Sequence, residues 1–564
     1  MGFINIFFAS FLCALSLLST GRLFNKLIIK KKDENFFESL IYGFIFISFF
    51  SLLLNFFTSL NQQLNSVIII ILLIIYFLIS RKHLKTDLIL LLIISFLSVL
   101  IMSFENINRP DGGLYHFPFI NILNDEKLIV GLSNLHFRYG HVSIIQYISS
   151  IYNNYLFTDN GTLIPPTIIF FSLLGYFLYE IFFSKSDKFY KLLSLLFALY
   201  ILINMNRYSS WGNDDFASII FFIVLLESYK FLLDYNLNTY SKITLLCTIC
   251  FLIKTFYLII FLVPVVLFFI SFKKIDLSNY FNRNLFFCFV FIILWLIRGF
   301  LSTSCLILPI EFTCYENFDW SLKEKAILNI SIISEAWSKD WPNFELQKNY
   351  EYDYYISNFN WISTWIKNHF IVILKNLSIL IPIIFITKFY IKIDLNTLQK
   401  KFINSACFVL IIFTLIWFLK FPILRYGEGI LVSLVIIMSF YLKFSFLSKD
   451  FRAISFILII IFFTGVFLKN SIKFYNNFNK VYVDYPWPKK NTFSKNNKKN
   501  EYVEYLENGD LIYVEPKIET NLCMYGKSPC AATDVNKYYF EIDGNLVITK
   551  GKFLIFDTFK IINN

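Results

Sequence analysis

Apolar runs of about 16 to 22 residues recur along this chain, each bounded by polar or charged positions, and that is the length a helix needs to cross a bilayer. In order they predict about fourteen transmembrane helices, the first near residues 2–19 and the last near 453–469. Two long polar intervals break the rhythm, at 104–162 and 303–368. Within them His141 to Phe157 and Leu322 to Trp337 are half apolar, the pattern of helices lying at a membrane interface. Beyond residue 469 the spacing changes. Tyr502 to Glu515 reads as a hairpin about Asn508-Gly509, and Tyr538 to Ile548 and Lys552 to Phe559 are strand-like. The expected architecture is an all-α polytopic membrane domain over 1–469, with outer loops 104–162 and 303–368, and a small, mostly β appendage over 470–564.

Composition removes the soluble alternatives. Of 564 residues 57% are hydrophobic and 16% charged, with mean hydropathy +0.60. The 70 Phe residues fit an A/T-biased coding composition as well as a membrane, so aromatic enrichment alone marks no ligand site. A net charge of +12 does not imply nucleic acid, because basic residues gather in alternate short loops as the positive-inside rule requires. Those loops are expected to be cytoplasmic. Intervals 104–162, 206–216, 303–368 and 418–429 and the C-terminal tail then share the opposite face. The first apolar run lacks a basic leader and is followed by Arg22, Lys26 and Lys30 to Lys32, so it reads as a retained span with its N-terminus outside.

Of the 9 cysteines, five lie in apolar runs. The other four form two close pairs, Cys305/Cys314 and Cys523/Cys530, which can close small disulfide loops in an oxidising compartment or remain free thiols.

The candidate chemistry lies on the outer face. Glu105, Arg109, Asp111, His116, Asn134, His136, Arg138 and His141 make a polar island that holds three of the chain's 5 histidines. Asp111 sits between Pro110 and two glycines, where a carboxylate can act as a general base, ligate a cation, or cap a turn. The histidine spacings place no pair on one helical face, so zinc is not indicated. A second loop carries Asp214 and Asp215, suited to a metal or an acceptor hydroxyl, or to capping the following helix. Lys254 and Arg298 lie at the outer ends of spans, and Arg425 stands three residues before Glu428, its local alternative partner. An arginine fork matches a phosphate.

These motifs resemble the GT-C superfamily of integral membrane glycosyltransferases. Asp111-Gly112-Gly113-Leu114-Tyr115-His116-Phe117-Pro118, followed by Gly131-Leu132-Ser133-Asn134-Leu135-His136-Phe137-Arg138-Tyr139-Gly140, is similar to a pattern in bacterial GT-C-like proteins. Arg298 to Pro309, Arg425-Tyr426-Gly427 and Cys523 to Cys530 look like later signatures of the same group. The resemblance implies a bacterial inner-membrane enzyme with a periplasmic active face. It would move a sugar from a polyprenyl-phosphate donor to a glycan or lipid acceptor of the cell envelope. Asp111 matches the superfamily's first-loop catalytic acid and Asp214 or Asp215 its second-loop acid. His116, Arg298 and Arg425 are expected at the leaving phosphate, with Tyr115, His136, Arg138, Lys254 and Glu428 lining the substrate site. Glycines follow Asp111 where some members carry a second acid, which leaves a divalent-cation requirement open. A lipid-linked glycan polymerase or ligase would use the same face and donor class. A transporter or flippase would instead bury its ionisable groups at mid-membrane.

Overall fold

The computed structural model describes residues 3–31, 35–79, 84–104, 111–157, 159–205, 214–272, 274–275, 282–346, 349–442, 450–478, 502–507, 510–517, 522–531 and 547–562. The protein is mostly helical, and among the described residues ten helices are long and apolar enough to cross a membrane. They are α1 (Phe3–Phe24), α2 (Phe36–Asn55), α3 (Gln62–Ile79), α4 (Leu84–Phe104), α7 (Ile164–Phe182), α9 (Asp214–Asp234), α12 (Arg283–Thr303), α14 (Ile362–Tyr390), α15 (Thr397–Lys420) and α17 (Phe451–Phe478). Four other apolar helices are shorter: α8 (Lys188–Ile203), α10 (Leu237–Ile253), Thr255–Ser271 with α11 (Leu262–Ser271) at its end, and α16 (Leu424–Ser439). The chain is a multi-pass membrane protein.

Small residues let the first two spans touch. A Cβ on Gly21 would lie 1.6 Å from the Ser39 carbonyl oxygen, and one on Gly43 1.8 Å from that of Leu17, so α1 and α2 meet backbone to backbone. Two groups of charges within the spans are paired, which offsets the cost of a low dielectric. Arg22 grips Asp87 through two hydrogen bonds of 2.5 and 3.0 Å, and the Tyr76 hydroxyl donates to the same carboxylate. Lys242 on α10 bridges Glu38 on α2 at 2.9 Å and Glu227 on α9 at 3.0 Å. The Tyr42 hydroxyl donates to Glu38 and that of Tyr176 to Glu227.

At the end of the bundle that carries residues 111–163, the chain folds into short helices, among them α5 (Phe117–Asp125) and α6 (Ile144–Ile151). The expected interfacial helix over His141 to Phe157 is corrected here: α6 is eight residues long and every one is buried. Burial is tolerated because Asn side chains satisfy the broken backbone. Asn65 and Asn124 both donate to the carbonyls of Leu60 and Ser150. By contrast α13 (Glu324–Ser338) is two-faced, with Ala326, Ile327, Ile330 and Ile333 buried and Glu324 and Lys325 exposed.

The tail holds two antiparallel hairpins, β1 (Tyr502–Glu507) with β2 (Asp510–Pro516), and β3 (Val547–Phe553) with β4 (Phe556–Ile562). The turn residues Asn508 and Gly509 and the stretch 538–546 lie outside the described residues. Disulfides join Cys305 to Cys314 and Cys523 to Cys530. The tail does not hang free. Val130 exchanges backbone hydrogen bonds with Asp557 and Phe559, Asn134 donates to the Phe559 carbonyl, and Met524 N–H donates to the Gly113 carbonyl at 2.7 Å.

Candidate functional site

The site starts from a helical hairpin. The chain reverses between α9 and α10 with Tyr235 at φ 53° and Asn236 capping the second helix, so the first residue of α9 returns beside the last of α10. Asp214 thereby meets Lys254 at 2.7 Å. Extended backbone at Lys254 (φ −146°, ψ 114°) ends α10 and frees its side chain to turn toward the acid.

α16 adds the arginine. A Cβ on Gly429 would come within 3.1 Å of Ser218 Cα and 2.9 Å of the Tyr257 hydroxyl, so only glycine lets α16 approach α9 this closely. That approach lays Arg425, one turn earlier, between two acids: its Nε is 3.8 Å from Asp214 and its Nη1 3.8 Å from Asp111. Tyr426 completes the platform, with the Lys254 ammonium 4.2 Å and the Arg425 guanidinium 5.1 Å from its ring centre.

Asp111 enters from the other side, at the head of a π-helical turn, Gly112–His116, that runs directly into α5. Close docking of the tail shapes this turn, since a Cβ on Gly113 would lie 2.2 Å from the Met524 sulfur. Tyr115 follows within electrostatic reach of Asp111, Asp214 and Arg425, and Arg138 stacks over its ring at 5.7 Å. Arg138 forms no salt bridge among the described residues. Among the described residues the cluster therefore holds three cations, Lys254, Arg425 and Arg138, against two carboxylates. That single positive excess and the half-exposed Asp111 and Arg425 suit an anionic ligand.

Other expected residues point elsewhere. Arg298 is buried, donates to the Tyr139 carbonyl at 2.6 Å and lies over Phe119, so it ties α12 to the 137–140 turn. It makes no ion pair with Asp111 or Asp214 among the described residues. Glu428 turns inward and accepts from the Tyr200 hydroxyl at 2.5 Å, so the local alternative of an Arg425–Glu428 pair is not formed. Asp215 is buried beside its neighbour. Glu105, Arg109 and residues 206–213 lie outside the described residues. Among the described residues no group of three or more His, Cys, Asp or Glu side chains is placed to hold a metal.

His116, His136 and His141 are neutral for a common reason, burial. His116 accepts at Nδ1 from the Gln146 amide at 3.0 Å, and desolvation pushes its pKa down to about 4 despite the nearby acids. His136 accepts at Nδ1 from Arg138 N–H, and burial takes its pKa to about 3, as it does for His141. Around pH 7, His116 accordingly carries one ring N–H and no positive charge. Folded values below the ordinary 6.5 mean that the unfolded chain binds protons first as pH falls. Thermal stability in detergent should stay flat from pH 8 to about 7 and decline as pH drops through about 6.5 toward 4. A midpoint unchanged at about pH 5 would show these rings to be hydrated.

Tyr426 and Gln146 were not singled out in the sequence. The signal for Tyr426 was its place inside Arg425-Tyr426-Gly427, while Gln146, in a half-apolar run, offered none.

Fold and site together define a multi-pass helical membrane protein that gathers acids and cations from distant loops at one end of its bundle. Residues 3–432 match the family described as a domain of unknown function (DUF8201), and the chain belongs to that family. No curated protein and no solved structure matches the chain.

Proposed function

We propose that the protein is a GT-C-type glycosyltransferase of a bacterial inner membrane, moving a sugar from a polyprenyl-phosphate donor to a cell-envelope acceptor on the periplasmic side. One observation carries this reading: Asp111 and Asp214, from separate loops, meet at Arg425, with Lys254 on the second acid. In this scheme half-exposed Asp111 takes the proton of the acceptor hydroxyl as its oxygen bonds to the sugar's anomeric carbon. The bond from that carbon to the donor phosphate breaks, and polyprenyl phosphate leaves with the electron pair toward Arg425, Lys254 and Arg138. Asp214 holds Lys254 and Arg425 in place, and the His116 N–H serves as a neutral donor.

Polyprenyl-linked sugars and surface glycans should be compared between wild-type and deletion strains. The expected result is an accumulated donor and a glycan lacking one sugar. No change in either would sink the reading.

Transport draws on a different observation, the buried Glu38–Lys242–Glu227 network within the bundle. Loss of the glycan with no accumulated donor, and with transfer intact in isolated membranes, would favour it.

A further inference from the structure

A cavity of about 420 Å³ opens at the same end of the bundle as the acids but on other residues. Its walls include Gln62 at the head of α3, Asn121 and Asn124 on α5, Asn153 and Tyr155 after α6, and Tyr525 from the tail's disulfide loop. Asn124 is the post of this structure. Its amide donates to the carbonyls of Leu60 and Ser150 at 2.6 and 2.9 Å, and its oxygen accepts from Asn153 at 3.1 Å and from the Tyr525 hydroxyl at 2.7 Å. The Asn153 oxygen in turn accepts from Gln62 at 2.8 Å. Four separate chain segments are locked together by amides before any ligand arrives, which is how a polar site is preorganised.

Some valences remain. Asn121 is only 7% exposed; its amide donates to the Gly526 carbonyl, but its Oδ1 has no partner among the described residues, and neither has Gln62 Oε1. Asp125 adds a carboxylate to the wall, and Tyr155, 66% exposed, presents a ring face. Lys and Arg are absent from the described lining, which disfavours phosphate and carboxylate ligands, and the predominance of amides disfavours an acyl chain. Fixed amides and one carboxylate beside an open aromatic face are suited to a neutral ligand dense in hydroxyls.

The geometry points to a saccharide-binding site separate from the Asp111–Asp214 centre, built where the tail's Cys523–Cys530 loop closes over Asn121, Asn124 and Asn153. It holds a neutral sugar unit whose hydroxyls donate to the Gln62 and Asn121 amide oxygens and to the Asp125 carboxylate, with Tyr155 against the ring. Asn124 lies eight residues beyond His116, about 12 Å along the helical rise, so the two sites are neighbours without sharing side chains.

The test is saturation-transfer NMR on the full-length protein in detergent, with glucose, galactose, N-acetylglucosamine, lactose and chitobiose present together and no lipid-linked donor. Transfer to at least one sugar is expected. Tyr155→Ala, at an exposed position, and Asn121→Leu should each weaken it about tenfold, the loss of one good contact. No transfer to any of these sugars by protein that unfolds cooperatively would overturn the site. Equal transfer by wild type and both variants would overturn it as well, by placing the sugar elsewhere. With no donor present, the outcome is independent of whether Asp111 carries sugar transfer.

Discussion

Asp111→Asn should lower sugar transfer by about 10²–10⁴-fold, the usual contribution of a positioned general base, while leaving the thermal midpoint of the protein unmoved. The two halves of this expectation have different causes. Asn keeps the shape of Asp but cannot take a proton, so in the proposed mechanism the step that activates the acceptor hydroxyl loses its base. Stability is spared because the Asp111 side chain is 48% exposed and its contact with Arg425, at 3.8 Å, is a solvent-screened pair worth at most about 1 kcal/mol. The measurement is initial transfer rate in membranes supplied with the polyprenyl-linked sugar that accumulates in the deletion strain. A decrease smaller than about threefold would remove Asp111 from the base role.

Lys242→Met should have the largest effect on stability, about 3–5 kcal/mol, because it leaves buried Glu227 without its salt-bridge cation and Glu38 with Lys31 alone, at 2.6 Å. Glu38 and Glu227 have side chains only 4% and 2% exposed, and Lys242 stands 2.9 and 3.0 Å from them. The loss is expected as a lower denaturation midpoint in detergent. Adding Glu38→Gln and Glu227→Gln to Lys242→Met should recover much of it, since neutral amides can bond to Tyr42 and Tyr176 without a counter-charge. A single-variant loss under about 1 kcal/mol would mean that water reaches this network.

The helices were legible in the sequence because apolar run length is a strong signal. The count of membrane-spanning helices was less so: α8 and α16 are 16 residues each, and their place is set by packing, of α8 on α7 and α17 and of α16 on α15 and α9, rather than by their length. Asp111, Asp214, Lys254 and Arg425 could be named from residue type and position at span ends. Their meeting could not, since it depends on the hairpin of α9 and α10 and on the approach allowed by Gly429. Arg298, Glu428 and His136 show the opposite case. Each looked like a ligand-binding side chain, yet each is occupied by an internal partner that sequence spacing does not reveal: the Tyr139 carbonyl, the Tyr200 hydroxyl and the Arg138 N–H. The buried α6 was misread for the same reason, because Asn65 and Asn124 satisfy its surroundings from far along the chain.

The backbone pairing of Val130 with β4, and of Gly113 with Met524, sets an order on biosynthesis. Every described helix of the bundle is translated before residue 480, but the segment that carries Asp111 acquires its partners in the tail only when residues 523–559 emerge. A chain cut short near residue 500 would lack every backbone partner that Met524, Asp557 and Phe559 give to the loop carrying Asp111.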